Sequence, residues 1–203
     1  MGDLTHPLDR HFRQVFNVIE QMQGGTWKKV MEGSHVHLAE LSTLMEIFSN
    51  CSVANINSTK TASRFPDVKD RILRKVTDEM TDKKAALANL LNALRRSHTS
   101  VSNACQQALQ AYCQASEKLS VIDVCQRTEL YPSIADMIEW LSKIDQQFSN
   151  NIFAKEFLLE NLQFSQDLGP EKFVGEWKKE DSTVIMYLNE VLWALKFFMT
   201  AKA

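Results

Sequence analysis

Leu73, Met80, Leu87, Leu94, Val101 and Ala108 stand seven residues apart, and Leu91, His98, Cys105 and Tyr112 form the neighbouring column. Seven residues are about two turns of an α-helix, so each column runs along one side of a helix. In a strand an odd spacing would throw successive members onto opposite faces. The pattern therefore demands helix. Residues 8–50 repeat it. Phe16, Val30 and Leu44 share one column with His37 between the last two; Trp27, Leu41 and Phe48 share the next, and Phe12 and Ile19 add a third. Composition agrees. Only 4 prolines and 6 glycines punctuate 203 residues, which favours few, long helices. Apolar residues make up 44% and charged residues 24%, ordinary for a globular chain of a size that can bury a core.

The breaks are as informative as the columns. Gly24-Gly25 falls inside the first periodic run without disturbing its phase. Each glycine costs about 1 kcal/mol in a helix interior, so a softened helix or a kink is expected there. Residues 51–64, "CSVANINSTKTASR", are polar and aperiodic and read as a loop, the place where disorder is most expected. Two stretches, "RFPDVKDRILRK" at 64–75 and "YPSIADMIEWLSKIDQQF" at 131–148, share an aromatic, a proline, a capping residue and a later aspartate. Proline stops backward growth of a helix, Asp67 and Ser133 are its N-caps, and Asp70 and Asp136 favour the dipole of the first turn. Residues 77–84, "TDEMTDKK", are polar enough to permit a break in the run from Asp67. Asp145 and Lys155 interrupt the apolar columns of the second stretch, and residues 121–127 suit a short helix.

The expected fold is all-α: an elongated bundle of about four long antiparallel helices near 8–50, 67–117, 133–164 and 171–199, packed like a coiled coil. The chain reads as one helical domain, 1–203, divisible into a long helical hairpin (1–130) and a C-terminal helical hairpin (131–203). The segment "TVIMYLNEVLWALKFFM" is apolar nearly all round, but too short for a membrane span and carries Glu190 near its middle. It reads as a helix buried on more than one side.

Catalytic signatures are absent from the sequence: no glycine-rich phosphate loop, no nucleophile elbow, no H-E-x-x-H. His35 and His37 diverge on a helix and cannot share a metal. His98 beside Cys105 reads as a packed histidine, and paired acids such as Asp136 and Glu139, or Asp78 and Asp82, as helix-face charges. Neither a catalytic residue, a metal ligand nor a cofactor site is expected. Cys51, Cys105, Cys113 and Cys125 form no C-x-x-C pair, and no basic-then-apolar leader opens the chain. A reducing, intracellular setting with free thiols is expected, which makes the Asn57 sequon accidental. Met1-Gly2 lacks Ser or Thr at position 6, where His6 stands.

Charge is uneven: net −1 over residues 1–63, +4 over 64–98 and −5 over 99–203. Arg71, Arg74 and Lys75 share a helical face suited to an acidic partner or to phosphate, although Asp67 and Asp70 blunt it and a solvated face is the simpler reading. Direct sequence-specific nucleic-acid binding is not expected. Trp140 and Trp193 are candidate partner anchors, with core packing the default for each.

"FPDVKDRILRK" and "PSIADMIEWL" resemble the matching segments of the AIRIM family of vertebrate ribosome maturation factors, named for their association with an AFG-two-type AAA ATPase. The run around Phe16, Glu20, Gln23, Gly24 and Trp27 and the region from Leu158-Leu159 to Phe164 are similar too. The resemblance is thin over 76–130 and after 170, and an extra residue near Gly24-Gly25 departs from it. It implies a non-catalytic adaptor in an assembly of two related AAA ATPases and a cyclin-dependent-kinase-interacting protein. That assembly acts on large-subunit precursors in the cytoplasm and recycles shuttling maturation factors, with a further link to chromatin replication, hence a cytoplasmic and nuclear location. The competing reading is a self-assembling or heteromeric coiled-coil scaffold in cell proliferation or chromatin replication without a ribosomal role. It rests on the heptad columns alone.

Overall fold

The computed structural model describes residues 8–55, 60, 64–128, 131–162 and 169–200. Its ordered elements are helical, and no strand occurs among the described residues. In chain order they are α1 (Asp9–Met22), a π-helical turn (Gln23–Trp27), α2 (Lys28–Val53), α3 (Val68–Ala115), a 3-10 turn (Ser116–Lys118), α4 (Val121–Cys125), α5 (Ile134–Glu160), α6 (Pro170–Lys178), α7 (Asp181–Ala194) and α8 (Lys196–Thr200). The expectation of four long helices thus resolves into more elements. The first expected helix is α1, a π turn and α2 in unbroken succession, while α3 follows the second expected helix closely.

The π turn is a matter of register. From the N-cap through α1, buried positions advance by fours and threes: Leu8, Phe12, Val15, Ile19, Met22. The next buried residue is Trp27, five positions on, after which the rhythm resumes through Val30, Ser34, Leu38, Leu41 and Met45. One residue is surplus, so the apolar phase does not carry through Gly24-Gly25 undisturbed, as the seven-residue columns suggested. Fully burying a large apolar side chain stabilises by about 1.5–3 kcal/mol, so the stripe outweighs one poor helical turn. A π turn absorbs the extra residue without ending the helix, and Gly24-Gly25 sits inside it.

The chain divides into two compact units: Met1–Lys28, Ala93–Phe153 and Glu180–Ala203 in one, Lys29–Asn92 and Ala154–Lys179 in the other. The first unit buries Phe12, Phe16 and Ile19 of α1, Leu94, Val101 and Cys105 of α3, Leu141, Ile144 and Phe148 of α5, and Val184, Leu188 and Val191 of α7. Trp27 meets the Phe148 ring edge-on, centroids 5.0 Å apart, a favoured aromatic geometry. The second unit has its own cluster: Leu38, Leu41 and Met45 of α2, Val76, Met80, Leu87 and Leu91 of α3, Leu159 and Leu162, and Phe173 and Trp177 of α6.

Helix ends follow local chemistry. Val68 opens α3 with Asp67 at the N-cap position, where its carbonyl accepts the Arg71 N–H at 3.0 Å. At α5 the Ser133 Oγ accepts the Asp136 N–H and the Asp136 Oδ2 accepts the Ser133 N–H, both at 3.0 Å. This reciprocal box satisfies two otherwise orphaned donors. The same S-x-x-D box starts α4, with Ser120 and Asp123. α2 runs to Val53, three residues into the expected loop. Its carboxyl end is held by Lys69, whose Nζ donates to the Ser52 and Ala54 carbonyls at 2.7 and 3.0 Å, a favourable place for a cation. The remaining loop positions 56–59 and 61–63, the Asn57 sequon, the Met1–His6 segment and the expected end of the third helix at 163–164 lie outside the described residues.

The last expected helix, 171–199, requires correction. It is three helices, separated at Lys179-Glu180 and at Leu195. At the first break the Lys179 N–H reaches back only to the Glu176 carbonyl, three residues away, tightening the turn.

Candidate partner-binding surface

Three polar residues sit on otherwise apolar stripes, and each finds a partner. His98 Nε2 lies 2.8 Å from Asp145 Oδ1 and 3.2 Å from the Asp145 carbonyl, with its ring 6.4 Å from that of Phe148. Both neighbours are acceptors, so Nε2 carries the proton. Ser102 Oγ donates to Asp145 Oδ2 at 3.5 Å. The carboxylate stands between serine and histidine, whereas a nucleophilic triad needs the imidazole in the middle; this cluster cross-links α3 to α5. Burial pushes the nearby Cys105 thiol up to about 12, and the Asp145 charge adds to the effect. Lys155, 2% exposed, donates its ammonium to the Trp177 carbonyl and lies 5.4 Å from the Trp177 ring centroid. The interruptions of the α5 columns by Asp145 and Lys155 were the visible signal of these contacts, but sequence could not name the partners.

The basic face comes out diluted. Arg71, Arg74 and Lys75 are exposed, but Lys75 lies 3.9 Å from Glu79 and Lys69 is committed to the end of α2. Farther along the same unit, a hydrogen bond from Lys83 at 2.8 Å holds the Glu40 carboxyl below its usual range. No group of three or more His, Cys, Asp or Glu suited to a metal occurs among the described residues, and none of the described helices is long and apolar enough to cross a membrane.

The tryptophans separate. Trp140 is half-buried on α5. Trp193 is 78% exposed, so core packing, the default for it, does not hold, and neither does burial of the last helix on several sides. The reason is geometric. Val184, Leu188, Val191, Leu195 and Phe198 follow one another by fours and threes and fill the core stripe. Met186, Trp193 and Phe197 occupy the opposite side, 60%, 78% and 62% exposed. Adjacent to them, Tyr187 lies under the Lys143 ammonium, 4.2 Å from its ring centroid. Burial raises the Tyr187 hydroxyl above its ordinary range, with Glu139 and Glu190 contributing. An exposed tryptophan between two other large apolar side chains is the composition of a protein-binding surface.

A sequence profile described as Ribosome biogenesis protein C1orf109-like matches residues 7–193. The chain belongs to this family. Among its relatives are proteins named AFG2-interacting ribosome maturation factor from three vertebrates. The Xenopus tropicalis protein is 28% identical over 195 residues, 94% of each chain. The human protein is 25% identical over 194 residues, 92% of each chain, and the mouse protein is 25% identical over 191 residues, covering 92% of this chain and 86% of its own length. Membership connects the chain to ribosome biogenesis. The matched span runs from the start of α1 to Trp193 and takes in segments of both units.

Proposed function

We propose that this chain is a non-catalytic adaptor that joins an AFG2-type AAA ATPase to the cytoplasmic maturation of the large ribosomal subunit and the recycling of shuttling maturation factors. The ATPase supplies the hydrolysis and the adaptor supplies contact. A cyclin-dependent-kinase-interacting protein belongs to the same assembly, and the chain distributes between cytoplasm and nucleus. The names of the relatives support the ATPase link. The observation that carries the reading is the Met186, Trp193 and Phe197 side of α7 and α8, large apolar surface turned to solvent. Burial of a central tryptophan at an interface is commonly worth 2 kcal/mol or more, about 30-fold in affinity.

The test is recovery of the AAA ATPase from cells by tagged wild-type chain and by Trp193→Asp. Because Trp193 is exposed, the variant should keep its circular dichroism and melting temperature while losing most of the ATPase. A folded Trp193→Asp that recovers the ATPase at wild-type level removes this face from the contact, and failure of the wild type to recover any AAA ATPase removes the adaptor reading altogether. Recovery of the chain alone would favour the self-assembling scaffold. Fractionation of the cells checks the two-compartment location.

A further inference from the structure

Met186, Glu190, Trp193 and Phe197 follow one another by four, three and four residues, the seam spacing of a coiled coil. From Met186 to Trp193 the row lies on α7 and spans about two helical turns, roughly 10–11 Å, and Phe197 continues it on α8 past the turn at Leu195. The core of its own unit does not use it, because Val184, Leu188 and Val191 face inward instead. Glu190 is the exception in this apolar row. It is exposed, and it occupies a seam position where an apolar residue would bury area. A charged seam residue selects the partner that neutralises it and rejects one that leaves it unpaired. Glu139, a second exposed carboxylate, also acts on the Tyr187 hydroxyl; the Lys143 ammonium, over the Tyr187 ring, offsets part of this charge. Lys196 is exposed at the start of α8, and Asn189 of α7 already accepts a hydrogen bond from Gln23 at 2.7 Å.

We propose that the Met186–Phe197 seam receives an amphipathic helix of a partner protein that places a lysine or arginine against Glu190, between apolar side chains packing on Trp193 and Met186. This rests on the reading of the same face as the partner surface and adds the chemistry of the occupant. A parallel second copy of this chain is a poor occupant, since it would set Glu190 against Glu190 at the same seam position.

Two fluorescein-labelled, 21-residue amphipathic helices with leucine seams serve as probes, differing only in a central seam residue, arginine or glutamate. Fluorescence polarisation is read with the full chain. The arginine probe should bind at least about tenfold more tightly than the glutamate probe. Glu190→Arg should reverse the preference, Glu190→Gln should level it, and Trp193→Ser should weaken both probes by about tenfold or more. Equal affinities, a preference unmoved by Glu190→Arg, or no binding of either probe by the folded wild type would overturn the proposal. So would a stable dimer in sedimentation that Trp193→Ser abolishes, because the face would then belong to a second copy. No ATPase enters this assay, so its outcome is separate from that of the cellular pull-down.

Discussion

Ser133 and Ser120 open the same S-x-x-D box, and the structure assigns them different weights. Ser133→Ala removes the acceptor of the Asp136 N–H, a 3.0 Å bond at a helix start where Ser133 is 5% exposed and flanked by buried Ile134 and Met137. Loss of an N-cap costs about 1 kcal/mol. A donor left without water or partner costs about 1–3 kcal/mol. Arg127 Nε lies 3.3 Å from Asp136 Oδ2 and steadies that carboxylate, but it cannot replace an acceptor for the Asp136 N–H. The expected loss is therefore about 1–2 kcal/mol, or roughly 2–8 °C in Tm at about 2–4 °C per kcal/mol for a chain of this size. Ser120 is exposed, and α4 is a five-residue helix with no buried residue. Water can serve the Asp123 N–H once the hydroxyl is gone, so Ser120→Ala should stay within about 0.5 kcal/mol. Urea and thermal melts followed by circular dichroism measure both. If Ser120→Ala costs as much as Ser133→Ala, or Ser133→Ala costs nothing, then burial of the capped end is not what gives the box its weight.

Asp67→Ala should lower stability by only about 0.3–1 kcal/mol in the same melts, through loss of a carboxylate near the α3 dipole, since the backbone carbonyl that accepts the Arg71 N–H survives the substitution. Lys155→Ala should cost about 3 kcal/mol, since it empties a buried site and leaves the Trp177 carbonyl without that donor; Lys155→Met, which keeps the volume, should cost less, and equal urea midpoints for the two would show that the polar contact decides. Cys105 gives a pH dependence of defined sign: its folded thiol is raised from 9.0 to about 12, so its contribution is intact below pH 9 and is lost as pH rises from 9 towards 12. Cys105→Ala should then lose less stability between pH 9 and 11 than wild type, and in native labelling Cys113 and Cys125 should react well ahead of Cys105. Gly25→Ala should stabilise by about 0.5–1 kcal/mol, because an added Cβ there meets nothing within 4 Å and the backbone does not occupy the left-handed region; a fall in Tm would mean the π turn depends on glycine itself.

Sequence periodicity alone was enough to make the chain helical and to place α3, because a seven-residue apolar repeat has one regular conformation that keeps it on one side. The start of α5 was equally legible, since proline and a capping pair act within four residues of chain. The glycine pair at Gly24-Gly25 was visible, but the seven-residue columns ran through it and hid the surplus residue; only the packed structure decides whether a helix kinks, breaks or takes a π turn, because that choice is made by the stripes on either side competing for burial. The polar interruptions at Asp145 and Lys155 could be seen, yet their partners lie 47 and 22 residues away, at His98 and Trp177, and no local rule carries such distances. The last segment shows the limit most plainly. "TVIMYLNEVLWALKFFM" holds enough apolar residues to fill two sides of a helix, so its composition cannot tell core from surface. Tertiary packing made that division by taking Val184, Leu188 and Val191 inward, and so left Met186, Trp193 and Phe197 facing water.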